Sequence, residues 1–185
     1  MDAAGKLGLI YLASETLLRF SRRSGAGTRA ADRGSLALLW VAIGGGVAAG
    51  IWLSHAAQFA DFGLTPVTRG LAVAGFAAGL ALRWWAILTL GKLFTVDVAI
   101  AADHRLVIRG PFRWMRHPSY TGMMLAFAAL GVTFQNWLAL ASLLIPIALA
   151  LAYRIRIEET VLVAAFGDDY RRYALHTKRL IPGLF

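Results

Sequence analysis

The sequence predicts an all-α integral membrane helical bundle with four or five transmembrane helices, the last two forming a hairpin, followed by a cytoplasmic C-terminal helical segment. Three observations carry this. The 185-residue chain is 58% hydrophobic and only 16% charged, against about 45–50% apolar and about 25% charged for a soluble domain. It contains charge-free runs that match a bilayer, because about 20 apolar residues at 1.5 Å rise cross the roughly 30 Å hydrocarbon core. Its 19 basic and 10 acidic residues, a net charge of +9, fall mostly between those runs. There is no cysteine, which excludes disulfides, thiolate nucleophiles and zinc–cysteine or iron–sulfur sites.

Taken in order, the first segment places Leu7, Ile10, Tyr11, Ser14, Leu17 and Leu18 at helical spacing with Glu15 on the other side. This favours an amphipathic helix lying in the interface over a short fifth span. Met1–Lys6 lacks a basic region leading into a clean apolar run and a cleavage site, so no removable signal peptide is expected. Residues 21–34 read as a polar Gly/Ser/Arg linker, which separates an N-terminal segment, 1–34, from a membrane domain, 35–185. Ser35 to Ala60 carries no charge and forms the first span. Gly70 to Leu90 forms the second, broken only by Arg83 beside Trp84 and Trp85. Arg83 is expected to snorkel to the interface, with one of the tryptophans as neighbour.

Pro118 to Tyr153 is 36 residues without a formal charge. As one helix it would be about 54 Å long, so it must fold back. The polar pair Gln135-Asn136 leaves 17 residues on each side, which makes a hairpin with Asn136 as N-cap of the returning helix. Pro146 removes a donor within that helix and should kink it, freeing the carbonyl of Ser142. Small residues four apart, Gly46/Gly50 and Gly75/Gly79, predict close helix contacts within the chain. Beyond Tyr153 a helix should run through Val161-Leu162, stop at Gly167, and be followed by a second helix capped by Asp168. Phe166, Tyr170 and Tyr173 then share an aromatic face that reads equally as a lid over the preceding loop or as ordinary core packing.

Basic loops alternate with nearly neutral ones. Arg19, Arg22, Arg23, Arg29 and Arg33 precede the first span, Lys92, Arg105, Arg109, Arg113 and Arg116 follow the second, and Arg154, Arg156, Arg171, Arg172, Lys178 and Arg179 follow the fourth. The positive-inside rule puts these segments in the cytoplasm, as expected for a protein of an inner or plasma membrane. A basic charge distributed this way, without aromatic RNA-binding motifs, speaks against a nucleic-acid partner.

Two polar constellations sit at span ends on that side. In Arg116-His117-Pro118-Ser119-Tyr120-Thr121-Gly122, Pro118 fits the first turn of the third span and His117 lies just outside it. Imidazole and amide donors at a helix N-terminus favour anions, although a basic anchor with Tyr120 in the aromatic belt is the plainer reading. Arg154, Arg156, Glu158 and Glu159 form the second. Arg154 and Glu158 share a helix face, so a simple ion pair explains them as well as a site holding an ammonium, ribose hydroxyls or an anion does. The four scattered histidines, including His55 and His176, do not make a metal site.

The order Arg116-His117-Pro118-Ser119-Tyr120-x-Gly122, Asn136, Arg154-x-x-x-Glu158-Glu159-x-x-Leu162, Phe166-Gly167-x-x-Tyr170-x-x-Tyr173 and Arg179-Leu180-Ile181-Pro182-Gly183 resembles the isoprenylcysteine carboxyl methyltransferase family. The resemblance covers about Lys92 to Phe185. It implies an integral membrane enzyme that uses S-adenosylmethionine, releases S-adenosylhomocysteine and methylates a prenylated or otherwise lipophilic acceptor. It implies a cofactor site in 92–185 formed by His104, Arg105, Leu106, Val107, Phe112, His117, Pro118, Ser119, Tyr120 and Glu158, with Glu159 completing an acidic pair and Asp97 within reach. By the same resemblance Arg154 binds the substrate, and Arg154 and Glu158 are the catalytic pair. Two rivals remain. The ending from Tyr173 to Phe185 is also similar to that of sterol reductases, which use NADPH, and a non-catalytic membrane adaptor would keep the same packing. The sequence leaves the methyl acceptor and the oligomeric state open.

Overall fold

A computed structural model describes residues 3–21, 29–30, 34–94, 99–100 and 106–183. These residues form helices α1 (Ala3–Ser21), α2 (Ser35–Ala56), α3 (Pro66–Leu90), α4 (Pro118–Val132), α5 (Trp137–Phe166) and α6 (Asp168–His176). A two-residue antiparallel pair, β1 (Arg29–Ala30) with β2 (Ala99–Ile100), joins the two basic segments. By length and composition α2, α5 and α3 with its following turn to Leu93 can each cross a membrane. The fourth apolar helix, α4, has only 15 residues, or about 22 Å.

The hairpin forms where the polar pair placed it. Thr133 Oγ1 donates to the Leu130 carbonyl at 2.6 Å, so the turn begins earlier than the apolar run ends. Gln135 adopts a φ of 58° to reverse the chain. Asn136 then caps α5, its side-chain oxygen accepting from the Ala139 amide at 3.0 Å. Its Nδ2 donates to the Ala57 carbonyl at 2.8 Å and to Asp61 Oδ1 at 2.7 Å, which ties the hairpin to the α2–α3 connection.

Glycines set the helix spacing. A Cβ on Gly79 would lie 2.6 Å from the Gly122 carbonyl, and one on Gly122 2.5 Å from the Gly79 carbonyl. Thus α3 and α4 meet backbone to backbone, as small residues permit in lipid. A Cβ on Gly46 would sit 3.1 Å from both Leu143 Cα and the Ser142 carbonyl, and one on Gly50 would strike the Phe134 ring. Both glycine pairs therefore serve packing inside the chain. Helix α5 is continuous through Pro146, and the Ser142 carbonyl that lacks its usual donor faces Gly46. The core between the helices contains Leu39, Ile43, Phe76, Met123, Phe127, Leu130, Leu143, Ile147 and Leu151.

Helix α1 packs one face into the bundle. Leu7 and Tyr11 join that core, Leu18 is buried, and Leu9, Ile10, Leu12 and Leu17 are exposed. Glu15, expected on a polar face, is itself buried. Residues Ala4 to Leu12 share a cavity with Thr133 to Gln135 at the end of α4, while Glu15 connects through Arg83 to Ser119 at its start. The helix thus runs lengthwise along the bundle, antiparallel to α4. Arg83 does not snorkel. It is buried and donates to Glu15 Oε1 at 2.6 Å and Oε2 at 2.8 Å, an exchange of water for a bidentate carboxylate. Trp84 Nε1 adds a bond to Ser14 Oγ at 2.8 Å.

The break at Gly167 is present, with φ 52°. Gly167, not Asp168, occupies the N-cap of α6. Asp168 is the first helical residue, and it accepts from Arg171 at 2.7 Å in the turn where acids complement the helix dipole.

Candidate functional site

The segment before α4 is shaped by close backbone approach. Gly110, at φ 59°, leaves no room for a Cβ, which would lie 2.9 Å from Thr89 Oγ1. The turn that follows, Gly110–Arg113, buries Pro111 and Phe112, and Trp114 meets Trp85 edge to face at 5.7 Å. Pro118 then starts α4 with His117 at the N-cap, as its ring predicts. The strip before it is laced to the chain end: the Arg116 amide donates to the Lys178 carbonyl at 2.8 Å, and the His117 amide to the Arg179 carbonyl at 2.9 Å. Thr121 Oγ1 donates to the Leu180 carbonyl at 2.8 Å.

Facing this segment, α5 presents Arg154, Glu158 and Glu159. Arg154 and Glu158, which share a helix face, are joined through the Tyr120 hydroxyl. Arg154 Nε donates to Tyr120 Oη at 2.9 Å, and Tyr120 Oη donates to Glu158 Oε2 at 2.8 Å. Arg154 Nη1 also donates to Ser35 Oγ at 2.9 Å at the start of α2. Both Arg154 and Ser35 are buried, so the guanidinium is held in one orientation. His117 stands between the two glutamates, with Nδ1 3.6 Å from Glu158 Oε2 and Nε2 3.4 Å from Glu159 Oε1. Its ring stacks on Tyr120 at 5.6 Å.

Glu159 is a hub of a different kind. It accepts from Arg116 Nε at 2.8 Å and from Arg179 Nε and Nη2 at 3.0 and 2.8 Å. Arg116 Nη1 continues to the carbonyls of Ala174 and Thr177. Tyr173 Oη donates to the Phe112 carbonyl at 2.5 Å, and Tyr170 meets Tyr173 edge to face at 6.0 Å. Burial pushes the Tyr170 and Tyr173 hydroxyls above the usual phenol range, with the Glu159 charge adding to the rise at Tyr170. Both are therefore neutral donors at physiological pH. The hydrogen bonds to Glu159 hold the Arg179 guanidinium above its ordinary value.

The structure therefore gathers His117, Pro118, Ser119, Tyr120, Arg154, Glu158 and Glu159 at one end of the bundle, with Phe112 tied to α6 beside them. Leu106 and Val107 are half-buried in the irregular strand leading there. His104, Arg105 and Asp97 lie outside the described residues. The aromatic face of α6 is stapled down by Tyr173, Arg116 and Arg179. Sequence reasoning missed Ser35, Glu15 and Arg83 as partners of this cluster. An acid and a base of opposite sign in two apolar helices are a signal for pairing, whereas Ser35 has no local signature. A separate cavity of about 820 Å³ lies between α1, α2 and α4, lined by residues such as Gly8, Trp40, Gly44 and Phe134. None of the gathered residues lines it.

These features define a polytopic helical membrane protein with a polar site at one end of its bundle. The chain matches the profile of the Isoprenylcysteine carboxyl methyltransferase (ICMT) family over residues 71–164, half of its length, and it belongs to that family. It is 31% identical over 71% of its length to protein-S-isoprenylcysteine O-methyltransferase B of Arabidopsis thaliana, covering 60% of that protein. It is 34% identical over 56% of its length to protein-S-isoprenylcysteine O-methyltransferase of Tribolium castaneum, covering 38%, and 30% identical over 43% of its length to the uncharacterized protein YpbQ of Bacillus subtilis, covering 48%. The chain thus spans between 38% and 60% of the length of these relatives. A solved structure of a eukaryotic intramembrane Ras methyltransferase, isoprenylcysteine carboxyl methyltransferase, superimposes with a TM-score of 0.65 at 20% identity, over 100% of this chain and 69% of that one. This likeness shows the membrane fold.

Proposed function

We propose that the protein is an S-adenosylmethionine-dependent membrane methyltransferase whose acceptor is the carboxylate of a lipophilic molecule, most simply a prenylated cysteine. The observation that carries this reading is the Arg154–Tyr120–Glu158 chain, a cation and an anion on either side of one hydroxyl, in a chain of this family. The positive-inside rule places this end of the bundle in the cytoplasm.

The residues fit the cofactor. The Glu158 side chain is 31% exposed, and only its Oε2 accepts from Tyr120, which leaves acceptor capacity for an ammonium or ribose hydroxyls. His117, Ser119 and Phe112 complete the enclosure. The cofactor supplies an electrophilic methyl on a sulfonium. The acceptor carboxylate, with a pKa of about 3.3–3.7 in a C-terminal group, is already ionised at neutral pH, so no general base is required. With the cofactor held by Glu158, His117, Ser119 and Phe112, its methyl would pass from sulfur to a carboxylate oxygen, giving a methyl ester and a neutral thioether. Arg154, fixed by Tyr120 and Ser35, orients the carboxylate, and burial strengthens that attraction. Exposed Leu149 and Tyr153 on α5 leave an apolar flank on which the acceptor's tail can stay in the bilayer.

The test is transfer of labelled methyl from S-adenosylmethionine to N-acetyl-S-farnesylcysteine by the purified protein in detergent. A base-labile ester should form, and Arg154→Ala should slow its formation about a hundredfold or more. No ester from this or other lipophilic acceptors, together with oxidation of NADPH in the presence of a sterol, would contradict the reading.

A further inference from the structure

The buried ion pair between α1 and α3 does more than close a seam. Arg83 uses both edges of its guanidinium. One edge, Nε and Nη2, takes the two oxygens of Glu15, and Nη1 turns to Ser119, donating to Oγ at 2.7 Å with the carbonyl at 3.5 Å. Ser119 directly precedes Tyr120, whose hydroxyl serves Arg154 at 2.9 Å and Glu158 at 2.8 Å. A hydroxyl that must satisfy two partners at those distances tolerates little displacement, since hydrogen bonds weaken steeply once geometry is lost.

Stability alone does not account for the pair. Taking two charges out of water costs as much as their attraction returns, and well-packed apolar residues would hold α1 and α3 as well. Ionised groups at membrane depth are expensive, and those that persist usually serve a site. Here the arginine is clamped from every side. A Cβ on Gly122 would lie 2.7 Å from the Arg83 amide nitrogen, so α3 and α4 are in backbone contact at this level. The Ser14–Trp84 bond fixes the rotation of α1 and hence the height of Glu15.

We infer that Arg83, oriented by Glu15, is a positioning residue for the cofactor segment: it fixes Ser119, and through it the Tyr120 hydroxyl on which Glu158 and Arg154 both depend. The inference rests on the methyltransferase reading, and it makes α1 part of the machinery of a site that it does not touch. It predicts a separation of affinity from stability.

The experiment compares calorimetric binding of S-adenosylhomocysteine with the thermal unfolding of the full chain in detergent. Glu15→Leu/Arg83→Met removes both charges and leaves no buried charge unpaired, so it should melt close to wild type. It should nevertheless bind about tenfold more weakly, because Ser119 has lost its charged donor. Arg83→Lys, which can reach Glu15 but cannot fork to Ser119 as well, should show the same weakening. Wild-type affinity in a stable double variant, or in Arg83→Lys, overturns the inference. Should the double variant not fold, Arg83→Lys alone decides. If the wild-type protein itself fails to bind S-adenosylhomocysteine, the methyltransferase reading falls and takes the inference with it. Binding by wild type that the variants retain undiminished removes only the role of Arg83.

Discussion

The two flanks of α4 are built in opposite ways. Toward α3 the helices touch backbone to backbone at Gly79 and Gly122, and the polar groups there are paired through Arg83, Glu15 and Ser119. Toward α2 and the first half of α1 glycines are also present, but a Cβ on Gly8 or Gly44 would meet nothing within 4 Å, and beside the Tyr11–Phe127 ring contact at 4.6 Å a cavity of about 820 Å³ opens. Small residues alone therefore do not bring helices together. Lipid tails are as apolar as leucine, so approach needs interlocking surfaces or a polar tie that has no better partner in the bilayer. The tied flank is the one that supports the candidate site.

Breaking the tight flank should have the largest effect. Gly122→Leu puts atoms where the Gly79 carbonyl and the Arg83 nitrogen already lie, so no cooperatively unfolding monomer is expected, as judged by thermal melting and size-exclusion chromatography. A folded, wild-type-like melt would mean that the α3–α4 contact is looser than described. A smaller loss follows from Glu159→Gln, which removes the charge shared by Arg116 and Arg179. Charged hydrogen bonds contribute about 1.5–3 kcal/mol each. The stapled end of the chain should become accessible, seen as faster tryptic cleavage after Lys178 and Arg179 with the rest of the bundle intact. Cleavage at the wild-type rate would show that backbone pairing alone holds this segment.

Least of all should Gly44→Leu matter. On the open flank the new side chain meets space, and leucine favours the helix over glycine by roughly 0.8–1 kcal/mol. The melting temperature should stay level or rise slightly. A drop comparable to that of Gly122→Leu would erase the distinction between the two flanks.

What could be read from the sequence follows the range of each interaction. The α4–α5 hairpin was legible because its signal is local: an apolar run too long to cross once, interrupted by Gln135-Asn136, with Asn136 capping by its own side chain. Pro118 at the first turn and the stop at Gly167 were legible for the same reason. The motif residues were legible through resemblance, and the structure gathers those it describes. What escaped was long-range. Ser35 is 119 positions from Arg154 and lies in an unremarkable serine-to-leucine helix start. Glu15 and Arg83, 68 positions apart, each looked like a surface charge when considered alone. The spacing in α1 therefore marked a buried face without its partners, because an amphipathic face with one acid reads the same whether the acid meets water or a guanidinium.

The central claim is that the cluster around Tyr120 is a site for S-adenosylmethionine chemistry, and direct binding tests it most simply. S-adenosylhomocysteine and, separately, NADPH would be titrated calorimetrically into detergent-purified wild-type protein and Glu158→Gln. Saturable binding of S-adenosylhomocysteine alone, weakened in the variant, is the predicted result. Binding of NADPH alone, or of S-adenosylhomocysteine with no change in Glu158→Gln, would contradict it.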